Sequence, residues 1–317
     1  MRGAKGSPYE GGHRVPLFAH WPKGGVTGGR DVPTLTAHID LLPTMLDLCG
    51  LKRPNLGVNL RLHGRSLRPL LLQKKDAPWP ERTLVTDSQR LEKLVPWRQA
   101  AVMTSQWRLV NASPDGDPNK LELYDILKDP GQKQNVAQSH PQVVNKLKQD
   151  YEAWWKQTAQ RADQFVRIAL GSEVANPVHL SSHDWHGEGG AEKAWNQRQI
   201  RQGPIANGFW AVEITRPGLY RIGLRRWPVE LNLPIGAAYQ DPTPNRETIP
   251  GKAIPIVKAR LKIGAIDKTV PVAANADKAA VLEVRLPAGP AEMWTWLYGS
   301  DNTERGAYYA TVERIGA

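Results

Sequence analysis

Side chains able to do chemistry gather in two places along this 317-residue sequence. The first is the opening string Ala4-Lys5-Gly6-Ser7-Pro8-Tyr9-Glu10-Gly11-Gly12-His13-Arg14-Val15-Pro16, which holds an ammonium, a carboxylate, an imidazole and a guanidinium. Gly11-Gly12 resembles a phosphate loop only superficially. No Gly-x-x-x-x-Gly-Lys-Ser/Thr follows, so the pair reads as a tight turn. Glu10 and Arg14 could line a site; their spacing reads as a structural ion pair or turn hydrogen bond. The second place is His179, His183, Asp184 and His186, the densest ligand-like cluster. Helical His-x-x-His pairs bind metal, but Gly187, Gly189 and Gly190 argue against a helix. The cluster therefore reads as a loop bridging two domains, with metal binding as the alternative. His13, His20 and His38 have no identifiable proton-transfer partner and read as packing or surface residues.

The composition bounds what these residues can serve. A chain with 40% hydrophobic content can bury a sizeable core, and its length suits two units. No apolar run is long enough for a membrane span, and Met1–Gly6 has no apolar region of the signal-peptide kind. A single cysteine, Cys49, excludes an intramolecular disulfide and a Cys-based metal cluster. The net charge of +11 suits nucleic acid, an anionic membrane face or a sulfated polymer, but it is spread along the chain and reads as a solvated surface.

The elements that must position these groups follow from periodicity. Residues 14–21 read as a short buried strand ending at Pro22, followed by a glycine-rich loop. Leu42, Met45, Leu46 and Cys49 recur at helical spacing, with Asp40 placed to cap the free N–H groups of the helix start and Gly50 as its stop. This predicts an amphipathic helix over 41–49 with Cys49 on its buried stripe. Ser66 is predicted to cap a second short helix, and 73–82 to form a charged, proline-rich loop. Strands are predicted at 83–87, 99–104, 107–111 and 121–125, and a helix at 141–158 bearing Val144, Leu147, Tyr151, Trp154 and Trp155 on one side. Together they make a small antiparallel α+β subdomain. Beyond residue 162, alternation in 210–214, 220–224, 259–263, 282–286 and 294–298 predicts a β-sandwich or jelly-roll-like module.

The order and spacing of several segments resemble one family. Lys5 with Glu10-Gly11-Gly12-His13-Arg14-Val15-Pro16, Trp21-Pro22, Asp40-Leu41-Leu42-Pro43-Thr44, Gly64-Arg65-Ser66-Leu67, Trp107-Arg108-Leu109-Val110, Glu122-Leu123-Tyr124-Asp125 and Asp129-Pro130-Gly131 resemble the C-terminal portion of the formylglycine-dependent (type I, arylsulfatase-like) sulfatases. The resemblance runs from about Ala4 to about Gln160. The β-rich tail resembles an accessory domain that follows some bacterial sulfatases.

The resemblance implies an α/β fold: residues 1–80 would close an alkaline-phosphatase-superfamily sulfatase domain and 81–162 would be its C-terminal α+β subdomain. Residues 163–317 would be a linker and a β-sandwich-like accessory module. It implies hydrolysis of an organic sulfate, carried on a carbohydrate, by a formylglycine made in Cys/Ser-x-Pro-x-Arg, with calcium offsetting charge on the sulfate. Lys5 matches the family lysine that binds a sulfate oxygen near the leaving group, where negative charge develops. The parent enzyme would be periplasmic or secreted.

No catalytic or metal-ligating residue is assigned. Cys49 lies in Leu48-Cys49-Gly50-Leu51-Lys52, and Pro242-Thr243-Pro244-Asn245-Arg246 has proline where the nucleophile belongs. The paired aspartates and the Asp-Asn-Gly of the metal site are absent from the sequence. The chain thus reads as a sulfatase segment lacking its N-terminal catalytic half and inactive alone.

The alternative is a non-catalytic glycan- or partner-binding protein built on a sulfatase remnant. Its 12 tryptophans outnumber the 3 phenylalanines and 8 tyrosines combined, and they read as core packing or as faces for sugar rings. Arg225, Arg226 and Trp227 could touch an anionic glycan. Nucleic-acid binding is a weaker third option without a known motif.

In the resembling fold, 14–21 and 41–49 pack on a sheet supplied by the preceding half. Without it Leu17, Phe18, Leu42 and Leu46 face water. Limited proteolysis should then cut within 1–80 first and leave the tail from about 165 intact; equal resistance of both regions would refute this.

Overall fold

The computed structural model describes residues 1–53, 62–72, 79–89, 91–187, 191–246, 248–273 and 275–317. The chain divides into Met1–Ala162 and Asp163–Ala317. In the first unit, α1 (Glu10–His13), α2 (Leu41–Leu48) and α3 (Arg68–Leu71) precede the strands β1 (Leu84–Thr86), β2 (Ala100–Met103), β3 (Trp107–Asn111) and β4 (Leu121–Asp125) and the helix α4 (Pro141–Thr158). The strands form one antiparallel sheet in sequence order. Pro141 opens α4, where its missing N–H costs no hydrogen bond.

This sheet is packed on both faces, because alternate residues point to opposite sides. Ala100, Val102, Leu109 and Leu123 meet Leu147 and Tyr151 of α4. The Tyr151 ring stacks on Trp97 with centroids 3.8 Å apart, and its hydroxyl accepts the Trp97 N–H at 2.6 Å. On the opposite face, Ala101, Val110 and Tyr124 cluster with Tyr9 from the opening segment.

Two expectations for the opening region change. Residues 14–20 form no strand; Glu10–His13 is a helical turn, and an isolated bridge joins Trp21 to Val26. Pro16 has no N–H to donate, and no strand lies alongside among the described residues. Accordingly Leu17 is 54% and Phe18 91% exposed. The helix predicted at 41–49 is present, but Cys49 is exposed, as are Leu42 and Met45, and Leu46 is half-buried. The side turned inward is set by hydrogen bonds: buried Thr44 donates its hydroxyl to the Asp40 carbonyl at 2.5 Å and accepts the Leu67 N–H at 2.8 Å. Gly50, at φ +63°, stops this helix as expected. Ser66 does accept the Arg68 N–H at 3.2 Å, while its hydroxyl donates to Asp47 at 2.6 Å. Residues 73–78 of the expected charged loop lie outside the described residues.

In the second unit, β5 (Ile168–Leu170), β6 (Val178–Ser181) and α5 (Gln197–Gln202) precede β7 (Phe209–Ile214), β8 (Gly218–Arg225), β9 (Ile256–Ile263), β10 (Ile266–Pro271), β11 (Ala280–Leu286), β12 (Gly289–Gly299), β13 (Glu304–Arg305) and β14 (Tyr309–Gly316). One sheet runs β10-β9-β12-β7-β5 with β13 beside β12; the other runs β11-β8-β14-β6. Inward residues of both sheets join in one hydrophobic cluster that includes Trp210, Val212, Leu261 and Met293 from the first sheet and Tyr220, Ile222, Val284 and Val312 from the second.

The tryptophans serve more than one purpose. Trp185, Trp210 and Trp227 are buried in this cluster. Trp294 and Trp296 share a face with Tyr298 as predicted, but it is the outer, half-buried face of β12. There the two indoles stack at 6.1 Å and Arg260 and Lys258 lie over the Trp296 and Tyr298 rings, a cation–π ladder. The His183–His186 segment is not a bridging loop: Trp185 anchors it in the core, and His186 pairs by its backbone with Phe209. His183 packs on Trp195 at 4.9 Å and the His186 ring on Phe165 at 4.4 Å.

Candidate functional site: the lysine-bearing segment

Lys5 sits exposed in the turn that leads into α1. Its backbone is set by close packing around that turn. Ser7 N–H donates to the Ala4 carbonyl at 2.9 Å and Gly11 N–H to the Arg2 carbonyl at 2.7 Å. A Cβ at Gly11 would lie 2.3 Å from the Gly3 carbonyl oxygen, and one at Gly12 2.0 Å from that of Ser7. Both glycines are therefore required by close backbone approach, and neither forms a phosphate cradle.

Glu10 holds this turn to the sheet. Its carboxylate is 2% exposed and accepts the Arg108 Nε–H at 2.5 Å, with Arg14 3.5 Å away. The Glu10 N–H donates to Gln132 at 2.8 Å, and Arg108 also donates to the carbonyls of Thr104 and Trp107. The ion pair predicted for Glu10 and Arg14 exists, but Arg108 is the closer partner. Nearby, the Tyr9 and Tyr124 hydroxyls each donate to Glu122 at 2.6 Å, and Arg2 lies 3.9 Å over the Tyr9 ring. Burial and the Glu122 carboxylate push the Tyr9 phenol up to about 12. Burial also pushes His13 below its ordinary value; Glu10 opposes this and Arg108 adds to it, which favours the neutral ring.

A second buried ion pair fixes α2 and its neighbours. Asp40 is fully buried and accepts the N–H groups of Ala37 and Arg65, both at 2.8 Å, and two bonds from Arg82 at 2.8 and 2.5 Å. Burial alone would raise its carboxyl; the bonds from Arg82, Arg65 and Ala37 outweigh that and hold it below the usual value. Gly64 must lack a side chain here, since a Cβ would lie 1.9 Å from the Ile39 carbonyl oxygen. Asp40 was expected to cap α2; it closes its own 3-10 turn and orders two distant segments instead. Nothing in the sequence pattern marked Arg82 or Arg108 as partners of these carboxylates.

These segments form an antiparallel sheet, the helix packed on it and a turn that leaves Lys5 exposed. Residues 5–157 match the family described as N-sulphoglucosamine sulphohydrolase, C-terminal, and this part of the chain belongs to the sulfatases as their C-terminal portion. The chain is 28% identical over 235 residues to arylsulfatase K of Xenopus laevis, covering 70% of itself and 38% of that protein. It is 32% identical over 167 residues to arylsulfatase A of Homo sapiens, covering 47% of itself and 32% of that protein. A solved structure from work on glycosaminoglycan metabolism by Bacteroides thetaiotaomicron aligns at 26% identity and TM-score 0.38, over 48% of this chain and 31% of that one. The chain thus spans less than two fifths of either curated relative, and the family assignment rests on the sequence matches.

Sulfatases generally use calcium and formylglycine, and the residues described here do not fit that pair. Among them no three His, Cys, Asp or Glu side chains are grouped to hold a metal ion. The His183–His186 segment accordingly brings no such group together. The buried carboxylates Glu10 and Asp40 are already engaged by arginines. Cys49 stands exposed at the end of α2, in a sequence without the formylglycine motif.

Two outcomes follow. Arg108→Ala leaves Glu10 buried without its closest cation and should destabilise the first unit by about 3–5 kcal/mol, read by urea denaturation of the full chain; an unmoved midpoint would contradict the pairing. Asp40, whose folded pKa is depressed, contributes stability that is complete above its unfolded value near 3.8 and is lost as pH falls through the lower folded value. Arg82→Met should flatten this acid limb in denaturation midpoints measured from about pH 5 to pH 2; an unchanged slope would show that Arg82 does not set it.

Proposed function

We propose that this chain is the C-terminal segment of a sulfatase that hydrolyses sulfate esters of a carbohydrate. In this reading residues 1–80 close the α/β sulfatase domain, 81–162 are its α+β subdomain, and 163–317 form a β-sandwich-like accessory module. The observation that carries it is the opening turn, which presents Lys5 to solvent from a base fixed by Glu10 and Arg108 inside the stretch that matches the family. The family's name, with its sulfated glucosamine, supports a sulfated sugar as substrate.

Lys5 is the substrate-binding residue in this reading. Its ammonium contacts a sulfate oxygen near the leaving group and offsets the charge that develops as the S–O bond breaks. The nucleophile and the calcium ligands come from the N-terminal half, which is the partner this segment requires. The alternative, a non-catalytic glycan-binding protein on a sulfatase remnant, draws its support from the half-buried Trp294 and Trp296 on the outer face of β12.

The 317-residue chain by itself should release no sulfate from 4-nitrophenyl sulfate. Joined to an N-terminal half carrying Cys/Ser-x-Pro-x-Arg it should become active, and Lys5→Ala should then lower kcat about a hundredfold. Sulfate release by the chain alone, or full activity of Lys5→Ala, would overturn the reading.

A further inference from the structure

The second unit buries two guanidinium groups for which the protein supplies no paired carboxylate. Arg226 is fully buried and Arg305 is 5% exposed. Among the described residues neither has a carboxylate at ion-pair distance, whereas Arg82 and Arg108 of the first unit each hold one. Their hydrogen bonds are incomplete as well. Arg226 donates through Nη1 to the Ala237 carbonyl at 3.1 Å and through Nη2 to the Arg201 carbonyl at 3.3 Å. Arg305 donates through Nη2 to the Thr303 hydroxyl at 3.0 Å. The buried Arg226 Nε and the buried Arg305 Nε and Nη1 reach no acceptor among the described residues. The Trp227 ring, 4.4 Å from Arg226, attracts the cation through its face but accepts no bond from Nε–H. Asp301 feels the Arg305 charge, yet this exposed carboxylate is occupied by the Thr303 N–H at 3.1 Å and hydroxyl at 2.7 Å.

One stretch of backbone brings the two arginines together. Residues 201–206 meet Arg226 through the Arg201 carbonyl and Tyr308 through the Pro204 carbonyl, which accepts the phenol at 2.6 Å. The Gly306 N–H, next along the chain from Arg305, donates to the Ala206 carbonyl at 2.8 Å. Gly203, at φ +62°, keeps the approach to Arg226 free of a side chain: a Cβ there would lie 2.2 Å from Ile254 Cδ1 and 3.6 Å from Arg226 Nη2. The charges act on one another. Burial, and then Arg305, push Arg226 down to about 10 against the opposing Tyr308, which leaves it cationic at pH 7. Burial holds the Tyr308 phenol well above its ordinary value although both arginines pull it down, so Tyr308 is no counter-ion. Two like charges out of water, without a counter-charge and with unmet donors, call for an anion.

We propose that Arg226 and Arg305 together bind one small inorganic anion, a chloride ion, inside the second unit. The unmet N–H groups of the two side chains are its donors. A monatomic anion accepts charge-assisted N–H bonds from any direction and needs little more room than a water molecule. It also supplies the negative charge that a water molecule lacks. Bound there, it neutralises the pair and fixes residues 201–206 between the end of β8 and the segment that follows Arg305. The inference is separate from the sulfate chemistry assigned to Lys5 and stands whether or not the protein cleaves sulfate.

The test uses the full chain and two readouts. Crystals soaked in sodium bromide should show an anomalous scatterer in contact with both Arg226 and Arg305. In thermal unfolding at fixed ionic strength, with gluconate as an anion too large to enter, chloride should be stabilising. Each tenfold rise in chloride should raise the midpoint by about 3–5 °C once the site is filled. Arg305→Met exchanges one buried charge for apolar packing and should still fold, with a midpoint that no longer depends on chloride. No anomalous signal at the two guanidinium groups, or the same chloride dependence in Arg305→Met, would overturn the proposal. Should that variant fail to fold, the bromide crystals decide.

Discussion

The first unit depends on a carboxylate and a guanidinium 98 residues apart in sequence, Glu10 and Arg108, meeting at 2.5 Å with almost no water access. A buried ion pair adds little net stability compared with apolar packing, but losing one partner is severe. Its value here is positional. It sets the register of the opening turn against one face of the sheet, and with it the direction in which Lys5 leaves the protein. The Asp40–Arg82 pair does the same for α2, and Thr44 completes it by tying α2 to the Gly64–Leu67 segment. The segments that carry the family resemblance are thus joined to one another chiefly by charge-assisted hydrogen bonds.

That organisation explains the exposed apolar side chains. Where hydrogen bonds choose which side of a helix faces inward, the hydrophobic stripe is free to serve another contact. Leu42, Met45 and Cys49 remain outside for this reason, as do Leu17 and Phe18 in a segment with no strand partner among the described residues. In the second unit the hydrophobic effect rules instead. Alternating strands turn their apolar residues into one cluster, and the polar alternates face water. Its outer aromatic ladder uses tryptophan and tyrosine as large rigid surfaces with a polar handle.

Much of this was legible beforehand, for a physical reason. Period-two alternation and helical spacing are local signals, so β2, β3, β4, α4 and, in the second unit, β7, β8, β9, β11 and β12 fell where the pattern put them. The segments resembling a sulfatase were likewise readable, because their order along the chain is itself a sequence property. Lys5 was assigned from that order alone, and its exposure in the turn before α1 is what the structure adds.

The sequence by itself determined α2, α4 and the sheet of the first unit, the alternating core of the second unit and the family of the first. Only the tertiary structure decided which partners the charged residues take and which face of each element is covered. Glu10 reaches Arg108 and Asp40 reaches Arg82 because the sheet and loops bring distant positions together, and no local period encodes that. The reversed burial of α2, the outward Trp294 and Trp296, and the buried Arg226 and Arg305 have the same origin. Each is set by what packs against an element, a long-range property that one-dimensional spacing does not carry.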